Sequence, residues 1–439
     1  MNLFSEKFLS KRLKAIFCFV VSSVIAWVVP FKFAPPMEAL LHVDRPFLLG
    51  YVLWFGLSLA VILEVVGAYE FKGFRSPLRQ YLAFLLASSG AALSLLIIFW
   101  IIEYQFIGRY VIGYSAMGAG TACYVLLLGF EKLSKNNPPK ILLLVDGINA
   151  SAIMAEAKAL QKNGVWYDRK ALSSEDSLEQ FCAREGIDWI VLDHAVDSEK
   201  TQILDLLATG VSIFSLVQFW ENFFQKIPAH CIDNSWLIRL DLKLRNPFTH
   251  KLRRLMDFLL ASCCLILSFP FLVLIALIIV LESGLPIFFA QERVGAFGKT
   301  YRMYKLRTMK VDAEASGAKW ASFQDDRITH VGHFLRKFRI DEIPQFWNIM
   351  KGEMSIVGPR PERPEFIDQL RQKVPHWSSR NLLKPGLTGW AQILHTYSSD
   401  ISSSEEKLAY DLYYLKNASF LLDLEIILST LRSLTKGSR

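Results

Sequence analysis

The stretch RIDEIPQFWNIMKGEMSIVGPRPE, Arg339 to Glu362, carries two adjacent carboxylates, Asp341 and Glu342, among arginines. Pro344 follows them closely, and proline is tolerated only in the first turn of a helix. This spacing predicts a helix beginning at the acidic pair, with Asp341 as its N-cap and its carboxylate among unpaired backbone N–H groups. Such a terminus favours negative charge, so it is expected to keep Asp341 ionised and to suit a bound phosphate. An ionised carboxylate beside a phosphate is a candidate nucleophile.

Outward from this stretch the chain becomes strongly apolar. It has 439 residues, 52% of them hydrophobic, with a mean hydropathy of +0.28 and a net charge of +8. These values exceed those of ordinary soluble proteins and predict membrane segments. Four runs have spanning length: Ala15 to Val29, Phe47 to Ala68, Tyr81 to Ile102 and Ile107 to Phe130. Basic residues cluster before the first, between the second and third, and after the fourth. The positive-inside rule therefore places the N-terminus and everything after Phe130 in the cytoplasm. The six cysteines lack metal-type spacing and read as packed thiols. No nucleic-acid motif accompanies the positive charge, so nucleic-acid partners are excluded and a lipid bilayer is the expected one.

After a linker at Lys135 to Lys140, short apolar strands alternate with amphipathic helices. Strands are predicted at Ile141–Val145, Trp189–Leu192 and Val211–Leu216, and helices at Ala150–Lys162, Ser177–Glu185 and Lys200–Leu207. This is the pattern of a small parallel α/β domain. Its first turn, Asp146 to Ser151, lacks a glycine-rich phosphate cradle, which favours a structural or regulatory role. A fifth apolar run, Leu255 to Leu281, has basic flanks on both sides and Ser268 and Pro270 near its middle. A simple span would put one flank outside, against the charge rule. A broken helix that enters and leaves on the cytoplasmic face is expected, with its break at Ser268 and Pro270. The remainder reads as a compact cytoplasmic domain. For its aromatics Trp377, Trp390, Tyr413 and Tyr414, headgroup placement and core packing are equally weighted.

The acidic stretch resembles the signature of the bacterial sugar transferase family, the polyprenyl-phosphate hexose-1-phosphate transferases. The resemblance extends from about Thr249 to the C-terminus, in the family's order. It includes Gln291-Glu292-Arg293-Val294-Gly295, Lys305-Leu306-Arg307-Thr308-Met309, Lys384 to Gln392 and Tyr410 to Asn417. The expected architecture is an integral membrane protein mixing α and α/β parts. Its domains are a four-helix transmembrane region (1–134), a Rossmann-like cytoplasmic domain (140–240), a re-entrant membrane helix (249–285) and a mostly helical catalytic domain (286–439). The family's re-entrant helix agrees with the charge argument.

The resemblance implies that Asp341 attacks a nucleoside diphosphate sugar, with UDP-glucose and UDP-galactose as common donors. UMP leaves, and undecaprenyl phosphate then takes the sugar phosphate from the aspartate, the initiating step of exopolysaccharide, capsule or O-antigen assembly. It places the protein in the bacterial inner membrane. Glu342 is read as a metal ligand or an activator of the lipid phosphate, with Mg²⁺ held by Asp341 and Glu342, since magnesium suits carboxylate and phosphate oxygens. Phosphate-binding cations are expected at Lys305, Arg307, Arg336, Arg339 and Arg360, the last with its direction set by two prolines. Gly352, Gly358, Gly386 and Gly389 are expected in tight turns. Many family members carry an Asn-Gly stretch after Trp390-Ala391-Gln392; here Ile393 to Tyr397 stands instead, a departure bearing on sugar or nucleotide choice. Two other readings stay open: a glycosyltransferase releasing nucleoside diphosphate, and an inactive membrane scaffold. A homo-oligomer is compatible with the sequence.

Overall fold

A computed structural model describes residues 11–33, 45–65, 76–102, 109–134, 138–162, 164–168, 177–193, 211–232, 236, 247–311, 327–395 and 401–435. The helix expected at Lys200–Leu207 lies outside these residues. The chain forms two compact units, Met1–Phe223 and Phe224–Arg439.

The first unit opens with four helices, α1 (Lys11–Phe33), α2 (Arg45–Val65), α3 (Pro77–Ile102) and α4 (Arg109–Ser134). Helix α1 packs on α2 and α4, and α3 packs on the same two. Their buried faces are built from small or aromatic side chains such as Cys18, Phe55, Ala87, Ala91 and Ala119. Buried polar groups find partners inside, as where the Tyr51 hydroxyl meets Ser115 Oγ at 3.0 Å. The outward faces are apolar too: Val24, Leu57, Leu93 and Met117 are all more than half exposed. Helices apolar all round with small residues at their contacts suit a lipid surrounding. Among the described residues, two helices are long and apolar enough to cross a membrane, Pro77–Ile97 and Thr249–Ser283, while Ile16–Ala26 and Gly50–Leu63 are shorter apolar stretches.

The same unit holds a four-stranded parallel sheet in the order β2-β1-β3-β4, from β1 (Lys140–Leu144), β2 (Val165–Asp168), β3 (Trp189–Leu192) and β4 (Ser212–Ser215). Strand β1 is central and wholly apolar after Lys140, as a strand covered on both faces must be. Helices α5 (Gly147–Ala159), α6 (Leu178–Glu185) and the short α7 (Leu216–Phe219) follow the strands. At the first turn, Asp146 accepts the Asn149 N–H at 2.7 Å. A carboxylate thus occupies the place where a dinucleotide fold would seat phosphate.

In the second unit, a 3₁₀ turn at Ala229–Cys231 precedes α8 (Pro247–Ser283), a single helix of 37 residues containing Pro270. The break expected at Ser268 and Pro270 is not an interruption of the helix. Proline removes only one donor, and an apolar surrounding leaves the other backbone groups no partner but the helix itself. Ser268 Oγ donates to the Leu265 carbonyl at 3.3 Å, adding a local partner beside the proline. An antiparallel hairpin follows, β5 (Phe288–Val294) and β6 (Thr300–Leu306). Then come α9 (His330–Lys337), a 3₁₀ turn at Ile340–Glu342, α10 (Gln345–Lys351), β7 (Ser355–Val357), α11 (Pro364–Lys373), β8 (Gly386–Thr388), α12 (Trp390–Leu394), α13 (Ile401–Asn417) and α14 (Phe420–Thr435).

Both ends of α8 dock on this domain. Near its start, Asp257 accepts from Ser355 Oγ (2.8 Å) and the Ile356 N–H (3.1 Å), and Ala261 belongs to a core cluster with Ile349 and Met354. Near its end, Glu282 accepts the His330 N–H at 2.8 Å, and Ile279 packs with Leu306 and Leu335. Between them Ile266, Leu267, Phe269 and Phe271 are about two-thirds exposed or more. Trp377, Trp390, Tyr413 and Tyr414 are all at most 5% exposed, so they belong to the domain's core and not to its surface.

Candidate active site

The acidic pair sits where three elements meet. Asn348 of α10 brackets β6, its Nδ2 donating to the Arg302 carbonyl (2.7 Å) while its Oδ1 accepts the Tyr304 N–H (3.2 Å). This holds Lys305, next on the strand, against the turn at Ile340–Glu342. Strands β7 and β8 pair in parallel, Ser355 opposite Gly386 and Val357 opposite Thr388. A Cβ at Gly358 or Gly386 would collide with the other segment's backbone. These two glycines therefore serve close backbone approach rather than the tight turns expected, whereas Gly352 does adopt a left-handed turn at φ 86°.

Asp341 is not a helix cap. The following helix starts at Gln345, with Pro344 at its N-cap and no side-chain capping bond. Asp341 lies within the 3₁₀ turn closed by Glu342 N–H to Arg339 O and Ile343 N–H to Ile340 O, both 3.2 Å. The turn is launched by Arg339 at φ 55°, a left-handed conformation that is unfavourable for arginine and marks a strained site. Both acids are buried, Asp341 to 7% exposure and Glu342 to 8%.

Their environments differ. Glu342 is surrounded by cations: Lys305 Nζ at 3.0 Å, Arg360 at 3.5 Å and Arg339 at 3.8 Å. Burial alone would raise its pKa, but Lys305, Arg360 and Arg339 outweigh it and hold Glu342 down at about 2. Asp341 accepts no hydrogen bond among the described residues. Burial pushes its pKa upward, with Glu342 adding to the rise and Lys305, Arg336 and Arg360 opposing it. The expectation of a capping carboxylate is thereby corrected: Asp341 accepts no backbone N–H among the described residues, and burial is the largest influence on its pKa.

The expected cations divide into two groups. Lys305, Arg339 and Arg360 gather on Glu342, while Arg336 acts on Asp341 through its field and donates from Nε to Thr308 Oγ1 at 2.9 Å. Arg307 is engaged elsewhere. It donates to the Ser283 carbonyl (2.9 Å), to Ser283 Oγ (2.8 Å) and to the Gly284 carbonyl, capping the end of α8. Terminal carbonyls of a helix lack internal partners, so a guanidinium is well placed there.

Arg360 is aimed by its backbone. Three arginines donate to carbonyls of its segment: Arg253 to Val357 (2.7 Å), Arg380 to Arg360 itself (2.9 Å) and Arg293 to Pro361 (3.1 Å). Arg380 is in turn anchored by Asp411 at 2.8 Å and Glu362 at 3.6 Å, over the face of Trp377. An open cleft is lined by Arg293, Lys305, Glu342, Gln345, Arg360 and Pro361, among others. Gln345 is 3% exposed, and its Nε2 lacks a partner among the described residues. Sequence reasoning missed Gln345, Arg293 and the Arg380–Asp411 pair. Only Gln345 left a local signal, a buried-face amide three residues after Glu342.

A sequence profile described as bacterial sugar transferase matches residues 248–437, which contain every side chain of this cleft. A UDP-glucose:undecaprenyl-phosphate glucose-1-phosphate transferase of Caulobacter vibrioides is 38% identical over 184 residues, 42% of this chain and 69% of that protein. The chain belongs to the bacterial sugar transferase family. A UDP-N-acetylgalactosamine-undecaprenyl-phosphate N-acetylgalactosaminephosphotransferase of Aeromonas hydrophila is 40% identical over 227 residues, 52% of this chain and 53% of that protein. A UDP-glucose:undecaprenyl-phosphate glucose-1-phosphate transferase of Escherichia coli is 39% identical over 181 residues, 41% of this chain and 39% of that protein. The chain thus spans about half the length of the Aeromonas relative and less of the Escherichia coli one. In this member of the family, no cluster of three metal-ligating side chains occurs among the described residues. Two adjacent carboxylates fit magnesium, which is commonly held by one or two carboxylates with substrate phosphates completing its shell.

Proposed function

We propose that this protein transfers a sugar 1-phosphate from a UDP-sugar to undecaprenyl phosphate, releasing UMP. The observation that carries the reading is the division of labour in the acidic pair: Glu342 is held by three cations, while Asp341 is buried with no hydrogen-bonding partner among the described residues. A carboxylate free of hydrogen bonds and low in hydration keeps its lone pairs for attack, and fixed cations meet the charge that develops at phosphorus. An Asp341 oxygen bonds to the β-phosphorus, and the bond from that phosphorus to the bridging oxygen breaks. UMP departs with the bridging oxygen and its electron pair. An oxygen of undecaprenyl phosphate then bonds to the phosphorus, breaking the bond to Asp341 and restoring the carboxylate.

Lys305, Arg339 and Arg360 fix Glu342 and stand ready for phosphate oxygens, and Arg336 favours the ionised form of Asp341. Asp341 and Glu342 would hold Mg²⁺, which when bound polarises the phosphoryl oxygens. The relatives' names divide between glucose and N-acetylgalactosamine, so the donor class is a UDP-hexose or its N-acetylated form.

The lipid acceptor requires the cleft to lie at the inner leaflet of the bacterial cytoplasmic membrane. A straight helix from Arg253 to Glu282 would run about 44 Å, longer than the ~30 Å hydrocarbon core, and would leave its ends on opposite faces. Both ends of α8 engage the same domain, which supports a re-entrant path turning near Ser268 and Pro270. The test incubates membranes carrying the native protein or Asp341→Asn with undecaprenyl phosphate and a panel of UDP-sugars. UMP release by the native protein and none by the variant is expected. Release of UDP would mean that only the sugar moves, and activity in Asp341→Asn would remove the nucleophile.

A further inference from the structure

A second open cleft shares Arg360 and Pro361 with the first and continues along Pro359, Arg380, Asn381 and Leu383. Glu342 lines only the first cleft, and no carboxylate lines the second. Resting on the function proposed above, we infer that the second cleft holds the nucleoside of the donor, with Asn381 contacting its base.

The argument starts from reaction geometry. Displacement at phosphorus proceeds in line, so the leaving oxygen points away from the attacking Asp341 oxygen. The α-phosphate bearing that oxygen needs a cation, and its nucleoside must lie within one phosphate's reach of it. Arg360 is the cation common to both clefts. A diphosphate lying along its guanidinium puts the sugar phosphate in the first cleft and the nucleoside in the second.

The chemistry of the second cleft suits a neutral ring rather than another phosphate. Arg380, 4% exposed, has its charge met by Asp411 and Glu362, so little net positive charge remains beyond Arg360. Proline and leucine side chains offer apolar surface for a planar ring. Asn381 Nδ2 and Arg380 Nε are buried with no hydrogen-bond partner among the described residues. A carboxamide supplies one donor and one acceptor side by side, the complement of a carbonyl next to a ring N–H such as the uracil edge presents. A site built to bond that edge discriminates strongly against bases lacking it.

The test uses the full-length protein in lipid nanodiscs. In Asp341→Asn, expected to be without turnover, 4-thiouridine monophosphate is photo-crosslinked and the adduct mapped. The expected label falls within Asn381 to Pro385 and is lost when excess UMP is present. In parallel, Asn381→Leu is expected to raise the UMP inhibition constant about tenfold, the equivalent of one ~1.4 kcal/mol contact. Inhibition by hexose 1-phosphate, which occupies only the first cleft, should not change. Crosslinks confined to β6 or to Ile340–Glu342, or an unaltered UMP constant in a folded Asn381→Leu, would overturn the inference. Should Asn381→Leu fail to fold, the crosslink decides alone. Failure of the native protein to release UMP would instead remove the transferase reading, a separate outcome.

Discussion

Replacing Glu342 with glutamine removes one negative charge from the centre of three cations and tests the electrostatic reading directly. The side chain is nearly enclosed, and its pKa is moved from 4.5 to about 2 by Lys305, Arg360 and Arg339 against the opposing effect of burial. At 1.36 kcal/mol per tenfold change in ionisation, the folded state favours the carboxylate by about 3 kcal/mol. Because the folded pKa lies below the unfolded one, this stability is present above pH 4.5 and is lost as pH falls towards 2. At pH 7 Glu342→Gln should therefore be less stable by about 3 kcal/mol. For a domain of this size, that lowers the melting temperature by roughly 6–12 °C. Thermal unfolding in detergent micelles, followed by tryptophan fluorescence from pH 7 to the lowest pH at which the native protein stays folded, measures the effect. The gap between the two proteins should narrow as the pH drops below 4.5, and added salt should change it little, since the pair is shielded from solvent. Equal melting temperatures at pH 7, or a gap independent of pH, would refute the claim that these cations stabilise Glu342.

Three further outcomes follow from the same geometry. Burial raises the pKa of Asp341, so the acid limb of kcat/KM should lie above the ordinary aspartate value of 3.8; in Arg336→Gln, which loses a cation favouring the ionised form, the limb should move higher still in a pH–rate series. Arg380→Met leaves Asp411 buried and unpaired, a loss of about 3–5 kcal/mol; Arg380→Met with Asp411→Asn should recover most of the melting temperature but not kcat, because the Arg360 carbonyl still lacks its donor. Chelation with EDTA should stop UMP release, with magnesium restoring it, while the melting temperature of the unliganded protein stays nearly constant because substrate phosphates complete the proposed metal shell.

Much of the scaffold was legible in local sequence. The alternation after Lys140 located the parallel strands within a residue or two, because a strand covered on both faces must be continuously apolar. Strand Val165–Asp168 was missed: it is only four residues long, lies at the sheet edge and is partly exposed, so it leaves no strong pattern. At the site, charge balance led to Arg339 and Arg360, and the family resemblance to Lys305, as phosphate-binding cations; that all three gather on Glu342 depends on the tertiary fold. The capping role assigned to Asp341 could not survive, because Pro344 stands at the N-cap itself and leaves the pair in a preceding 3₁₀ turn. Arg307 looked identical to its neighbours in sequence. Its engagement with Ser283 and Gly284 depends on where the end of α8 falls, a tertiary fact. The Arg380–Asp411 pair spans 31 positions and carries no short-range signature.

The adjacency of Asp341 and Glu342 is itself a physical device. Two buried carboxylates side by side repel one another, and the repulsion is resolved by giving nearly all the direct cation contacts to one of them. Glu342 then stays charged at every physiological pH and holds Lys305, Arg339 and Arg360 in register whether or not substrate is bound. Asp341 is left poorly solvated and without hydrogen bonds among the described residues, the condition under which a carboxylate is most reactive toward phosphorus. When a phosphate enters, those cations can turn part of their charge toward it without a large rearrangement, since they are already in place. The opposite assignment, with Glu342 attacking, would require a carboxylate to leave three ion pairs before it could react, and that barrier favours Asp341.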